Sequence, residues 1–177
     1  MPSFAIEGAE LDLPRNLAIL DSNILIALAL QDDQRHDEVH IFIDCQTEFI
    51  LGVPPPVIAE ACGFLIGKAK RPDRAEWLLR WLLTPGTGVL LLPAPHDVKE
   101  QAIQAYLNSD AGWMSLHKLD YVDAYLMQMA SVITERCEYK PDLVIVTGDM
   151  RDYLRCLRKG YAYRIHDVSS GETYNAA

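Results

Sequence analysis

Polar and apolar positions along this chain alternate between short, solidly apolar runs and longer segments with a helical stripe. Leu17 to Leu20 is apolar throughout and too short for a helix, so it reads as a strand buried on both faces. Ile24 to Leu30 is a nearly all-apolar helix, which predicts deep burial. His36 to Cys45 keeps helical spacing through Val39, Phe42 and Ile43, and Phe49 to Val53 is a second short strand. Pro54-Pro55-Pro56 ends that strand and opens a helix, because proline suits a first helical turn and resists a sheet ladder. That helix runs from Val57 to Ile66, and another covers Pro72 to Leu83. Val89 to Leu92 is a third buried strand, His96 to Asn108 an amphipathic helix and Ser109 to His117 a loop. A helix starting near Asp120 carries its stripe on Val122, Tyr125, Leu126, Met129, Ala130 and Ile133. Leu143 to Val146 is the clearest buried strand; a short basic helix follows, and Tyr161 to Val168 alternates as an edge strand.

Strands alternating with helices predict one α/β domain, a mostly parallel central sheet of about five strands flanked by helices. Residues 1–16 read as an arm outside the sheet, 17–168 as the domain and 169–177 as a loose tail. No apolar run approaches the ~20 residues of a membrane helix, and no basic segment followed by an apolar core opens the chain. Cys45, Cys62, Cys137 and Cys156 are scattered, with neither zinc spacing nor a dense disulfide framework. A cytoplasmic protein without membrane partners is the expectation.

Composition changes this picture in one respect. The 177 residues are 50% hydrophobic, which is globular, but the net charge is −9. Such a charge counts against a simple nucleic-acid binder, which attracts phosphates with clustered Lys and Arg. It counts less against an enzyme whose carboxylates are neutralised by metal ions.

The acids stand at telling places. Asp21 ends the first strand of the sheet and Asp149 follows the strand Leu143 to Val146 through Thr147 and Gly148. Open α/β sheets place ligands at such carboxyl ends. Glu60 and Asp123 interrupt otherwise apolar helices, where an unpaired charge is costly. Each has a plain alternative: turn chemistry and capping by Ser22 or Asn23 around Asp21, a narrow polar face for Glu60, and capping by Asp120 with Asp123 in the first turn. Converging carboxylates repel one another and raise each other's pKa, and a divalent cation removes that penalty. Hard oxygen ligands select Mg²⁺ or Mn²⁺, which suits phosphodiester hydrolysis by metal-activated water. His36 and His40 share a helix face but lack a third ligand, so they read as ordinary, partly exposed histidines.

The order of these stretches resembles the PIN-domain family of metal-dependent ribonucleases, which includes VapC-like toxins of bacterial toxin–antitoxin pairs. The stretches are Leu20-Asp21-Ser22-Asn23-Ile24-Leu25-Ile26, the Glu60 helix, Val122-Asp123-Ala124-Tyr125-Leu126, and Val146-Thr147-Gly148-Asp149 with Asp152-Tyr153. The resemblance implies an endoribonuclease whose acidic, metal-holding site is Asp21, Glu60, Asp123 and Asp149, assisted by Asp152. It also implies that Asn23 and Thr147, with Ser22 beside them, hold the carboxylates by hydrogen bonds. An antitoxin is the partner implied by the toxin members. The longer chain and acidic charge make nuclease a firmer expectation than toxin. RNA is expected along Lys68, Lys70, Arg71 and Arg74, or along Arg151, Arg155 and Arg158, although most basic runs are solvated faces. The aromatics at 77 and 81 suit a core or a dimer interface, and a homodimer is expected. Two rival readings are a non-catalytic PIN-like module that binds RNA or protein, and a phosphotransferase with Asp21 as nucleophile. The latter lacks a second Asp two residues on, where Asn23 stands.

Overall fold

The computed structural model describes residues 3–6, 9–12, 14–93, 100, 103–104, 107, 120–136, 141–151, 153 and 163–175. Its elements are β1 (Ser3–Ile6), β2 (Ala9–Asp12), β3 (Asn16–Leu20), α1 (Ser22–Ala29), α2 (His36–Cys45), β4 (Ile50–Val53), α3 (Pro55–Gly67), α4 (Pro72–Leu83), β5 (Val89–Leu91), α5 (Tyr121–Arg136), β6 (Asp142–Thr147), β7 (Arg164–Asp167) and β8 (Glu172–Asn175). The expected helix over 96–108, the loop over 109–117 and the basic helix after Arg151 lie largely outside the described residues.

Six strands form the main sheet in the order β5-β4-β3-β6-β7-β8, and β1 and β2 pair separately as an antiparallel hairpin. Every pairing in the main sheet is parallel except β7 with β8. The strand beyond the expected five is β8, formed where a loose tail was anticipated. Its residues are mostly exposed and polar, so no apolar run announced it; backbone pairing with β7 across a turn containing Gly171 at φ 72 makes it. Consequently β7 lies inside the sheet and β8 takes the edge; β5, expected to be buried, takes the opposite edge and is partly exposed, because only β4 flanks it.

The two strands with the most continuous burial sit at the centre. Leu17, Ala18, Ile19 and Leu20 of β3 are all at 0% exposure, and Leu143 to Val146 of β6 are buried beside them. Helix α1 is buried from Ile24 to Ala29, as its all-apolar sequence predicts, and α5 adds Ala124 to Met127 to the same core. Each such fully buried Leu or Ile is worth roughly 1.5–3 kcal/mol relative to exposure. Pro55 and Pro72 occupy the first turns of α3 and α4, where no helical N–H is forfeited.

From β3 the chain moves outward through β4 to β5, then returns to the other side of β3 as β6. The direction of winding therefore reverses between β3 and β6, and the crevice outside their carboxyl ends is where such sheets bind ligands. Tight packing continues into β4: a Cβ on Gly52 would come within 2.9 Å of both Leu17 Cδ1 and Leu92 Cδ1. Gly52→Val should therefore lower unfolding stability by about 1–3 kcal/mol through overpacking, read by urea denaturation. Gly63→Ala, at a helical position where a Cβ meets nothing within 4 Å, should instead raise it by up to about 1 kcal/mol.

Candidate active site

Asp21 is where α1 begins. Its extended backbone (φ −79°, ψ 161°) lets its own carboxylate accept from Ser22 N at 2.5 Å, so Asp21 itself, rather than Ser22 or Asn23, caps the helix. The side chain is 1% exposed. Its second oxygen accepts from Asn23 Nδ2 at 2.6 Å and from Thr147 Oγ1 at 2.8 Å. Thr147 Oγ1 in turn accepts from Asn23 Nδ2 (3.0 Å) and from the backbone of Asp149 (3.1 Å), which uses the full capacity of a hydroxyl. Asn23 Oδ1 accepts from Gly148 N at 2.8 Å. Asn23 and Thr147 thus tie the ends of β3 and β6 together around one carboxylate.

Asp21, Ser22, Asn23, Asp123 and Asp149 line a hollow of about 150 Å³, together with Asp120 and Tyr153. Glu60 lines the adjoining hollow of about 220 Å³, which shares Ser22 with the first and also contains Ile26, Gly63, Phe64 and Lys68. Glu60 lies near enough to Ser22 and Asp120 for both to act on its carboxyl. Two larger hollows, each about 400 Å³, open beside α2 and the later strands of the sheet. They hold no such group of acids, so size alone misplaces the chemistry.

Electrostatics separates the carboxylates. Burial lifts Asp21 to about 6, against the hydrogen bonds from Thr147 and Ser22 that pull it down. Asp123 rises further, to about 8, through burial first and then the negative charges of Asp21 and Asp120; the Tyr153 hydroxyl, donating at 2.8 Å, offsets only part of this. Glu60 is raised chiefly by burial, with Asp120 adding to it. Asp149 moves the other way because Arg151 grips it with contacts of 3.0 and 3.1 Å. Among the described residues, no three carboxylate, imidazole or thiol groups stand at the spacing of ion ligands. Asp21 faces its three donors and Asp149 faces Arg151. The donors gathered here are nevertheless hard oxygens whose mutual repulsion a Mg²⁺- or Mn²⁺-like ion relieves, so the residues fit such a group.

The remaining expected positions are dispersed. Lys68 sits beside Glu60, with Nζ 5.7 Å from the Phe64 ring centroid. Lys70 is exposed; Arg71 is paired with Asp73 at 2.8 Å. Arg74 lines a different hollow with His36, His40 and Trp77. His36 and His40 are partly exposed, with rings meeting edge-on at 4.5 Å, and His36 Nδ1 lies 2.8 Å from the Ala27 carbonyl. Asp152, Arg155 and Arg158 lie outside the described residues.

Two contributors escaped the sequence reading. Asp120 does cap α5, accepting from Asp123 N at 2.9 Å, but it also lines the acidic hollow. Its spacing from Asp123 was the available clue. Arg35, in a polar break between helices, is held by Asp33 at 3.2 Å and donates to the Gly148 carbonyl at 3.4 Å. A Cβ on Gly148 would come within 2.8 Å of Arg35 Cδ, so a side chain at 148 would displace the Arg35 side chain from this turn. No local signal links residues 113 positions apart.

A PIN-domain family model matches residues 18–151, a span that includes Asp21, Glu60, Asp123 and Asp149. The chain belongs to the PIN-domain family. Among solved structures, the PIN fold here is similar to that of VapC20 of Mycobacterium tuberculosis, described as a toxin cleaving the sarcin-ricin loop. The TM-score is 0.60 at 15% identity, over 78% of this chain and 94% of that one. PAE2754 of Pyrobaculum aerophilum matches more loosely, with TM-score 0.47 and 20% identity over 84% of this chain and 90% of the other. No curated protein matches the sequence significantly. No described helix is long and apolar enough to cross a membrane.

Asp123 in this PIN domain generates a pH signature. With a folded pKa near 8 against an ordinary value near 4, the folded state keeps a proton that the unfolded chain has lost at intermediate pH. Stability of the metal-free protein should therefore fall as pH rises from about 4 to about 8. Asp123→Asn should flatten that decline by on the order of 1 kcal/mol or more, measured by thermal melts across this range.

Proposed function

We propose that this PIN domain is an endoribonuclease that hydrolyses RNA phosphodiester bonds with Mg²⁺ or Mn²⁺. The observation carrying the reading is the gathering of Asp21, Asp123 and Asp149 at the β3–β6 crevice, with Glu60 one side chain away, inside a PIN-family match. Asp21, Glu60, Asp123 and Asp149 are the residues that would hold the metal, with Asp152 as a fifth candidate. A divalent ion held there would supply positive charge to the attacked phosphate and acidify an attacking water. Asn23 and Thr147 fix the orientation of Asp21, and Tyr153 fixes that of Asp123.

RNA approaches along the cations that flank the crevice, Lys68 on the Glu60 side and Arg151 on the Asp149 side. Of the rest of that basic run, Lys70 is the exposed cation left for RNA, since Arg71 is paired with Asp73 and Arg74 lines another hollow. Membership of a toxin–antitoxin pair, with an antitoxin as partner, is supported by the likeness to VapC20 along nearly all of that chain. A homodimer is supported by the apolar surface of α4, where Trp77 stacks on Trp81 and Leu83 is 71% exposed. The free thiols of Cys45 and Cys62 suit a cytoplasmic setting.

Calorimetric titration and thermal melts with Mn²⁺, alongside cleavage of labelled RNA, test the reading. The parent should gain about 2.7 kcal/mol of stability at a metal concentration a hundredfold above Kd. Asp123→Asn should lose both that gain and cleavage. Asn23→Ala, which loosens Asp21, should weaken metal affinity or activity about 10–100-fold. A parent indifferent to metal, or stabilised equally with its Asp123→Asn variant, would leave a non-catalytic binding module as the better account.

A further inference from the structure

We propose that the hollow between α1 and α3 is a nucleotide subsite, which receives the base next to the phosphate presented to the acidic crevice. The proposal rests on the nuclease reading and adds to it a place for substrate.

Glu60, Gly63, Phe64 and Lys68 are spaced i, i+3, i+4 and i+8, so α3 presents them along one face. With Ser22 and Ile26 of α1 they enclose about 220 Å³, room for one planar base. Ser22 lines both this hollow and the acidic one, so a strand entering the crevice passes directly from one to the other. The floor is open because position 63 has no side chain and nothing lies within 4 Å of where a Cβ would stand. Phe64 supplies a ring, the stacking surface that single-stranded nucleic acids use without regard to sequence. Lys68, exposed and poised over that ring, is the cation able to turn to the adjoining phosphate and uncover the ring. On a chain of net charge −9, a cation next to an aromatic ring and an acidic crevice favours a nucleotide over an apolar protein side chain. The larger hollow beside α2 offers less: Phe42 and His166 already stack on each other at 5.0 Å, and Arg164 is paired with Asp142.

Gly63→Leu fills the hollow at a helical site that tolerates a side chain, so the variant should fold at least as well as the parent. Its binding to a fluorescein-labelled single-stranded RNA hexamer, read by stopped-flow anisotropy before turnover in Mn²⁺, should weaken about tenfold or more. Mn²⁺ affinity by calorimetry should match the parent. Phe64→Leu should weaken RNA binding similarly, and Phe64→Tyr, which keeps the ring, should restore it. RNA binding by Gly63→Leu equal to the parent's overturns the subsite while leaving the nuclease reading intact. So does a parent that holds Mn²⁺ but no RNA, or a Gly63→Leu variant that loses Mn²⁺ too, because the effect then belongs to Glu60. A parent that binds no Mn²⁺ fails the nuclease reading instead.

Discussion

One buried carboxylate ties this molecule together. Asp21, almost fully removed from water, would be intolerable if unpaired, and three donors surround it: its own following amide, the Asn23 amide and the Thr147 hydroxyl. Those donors come from the start of α1, just beyond β3, and from the end of β6, the strand beside it. Burial and hydrogen bonding act in opposite directions on its proton, and burial wins by enough to leave the group near 6. The same contacts that make Asp21 tolerable also fix the turn after β6, and with it Asp149.

Around that anchor the other acids are graded by environment. Asp149 lies next to an arginine and is readily ionised; Asp123, with a single phenolic donor, keeps its proton into neutral pH. A carboxyl group held neutral in this way would give up its proton to a cation, which stabilises the ionised form that burial disfavours. The fold thereby tolerates crowded acids without metal and still leaves them a reason to take one up.

Much of this was legible in the chain. Solid apolar runs at 17–20 and 143–146 have few alternatives to buried parallel strands, and proline at 55 and 72 marks helix starts with little ambiguity. The acids stood out because charge interrupted an apolar pattern. What stayed hidden depended on contacts distant in sequence or on backbone alone. β8 is held by pairing rather than by burial, and Arg35 meets the site through a carbonyl 113 positions away. Asp120 looked like a cap and is one; its second role requires knowing where the N-terminus of α5 points. The division of the acids between two adjoining hollows, with Ser22 as the wall, likewise has no expression in spacing.

The central pairing of β3 with β6 also bears on when the acidic crevice comes into being. Asp21 and Thr147 are separated by 126 positions, and β3 must wait for β6 before its carboxylate has its full set of donors. Non-local parallel pairing of this kind forms late, because a long loop must close before any contact rewards it. During synthesis, a nascent chain that has not yet extruded β6 has neither Asp149 nor the clamp on Asp21. The crevice is therefore completed only once the chain through Asp149 has left the ribosome, and shorter nascent chains are without it.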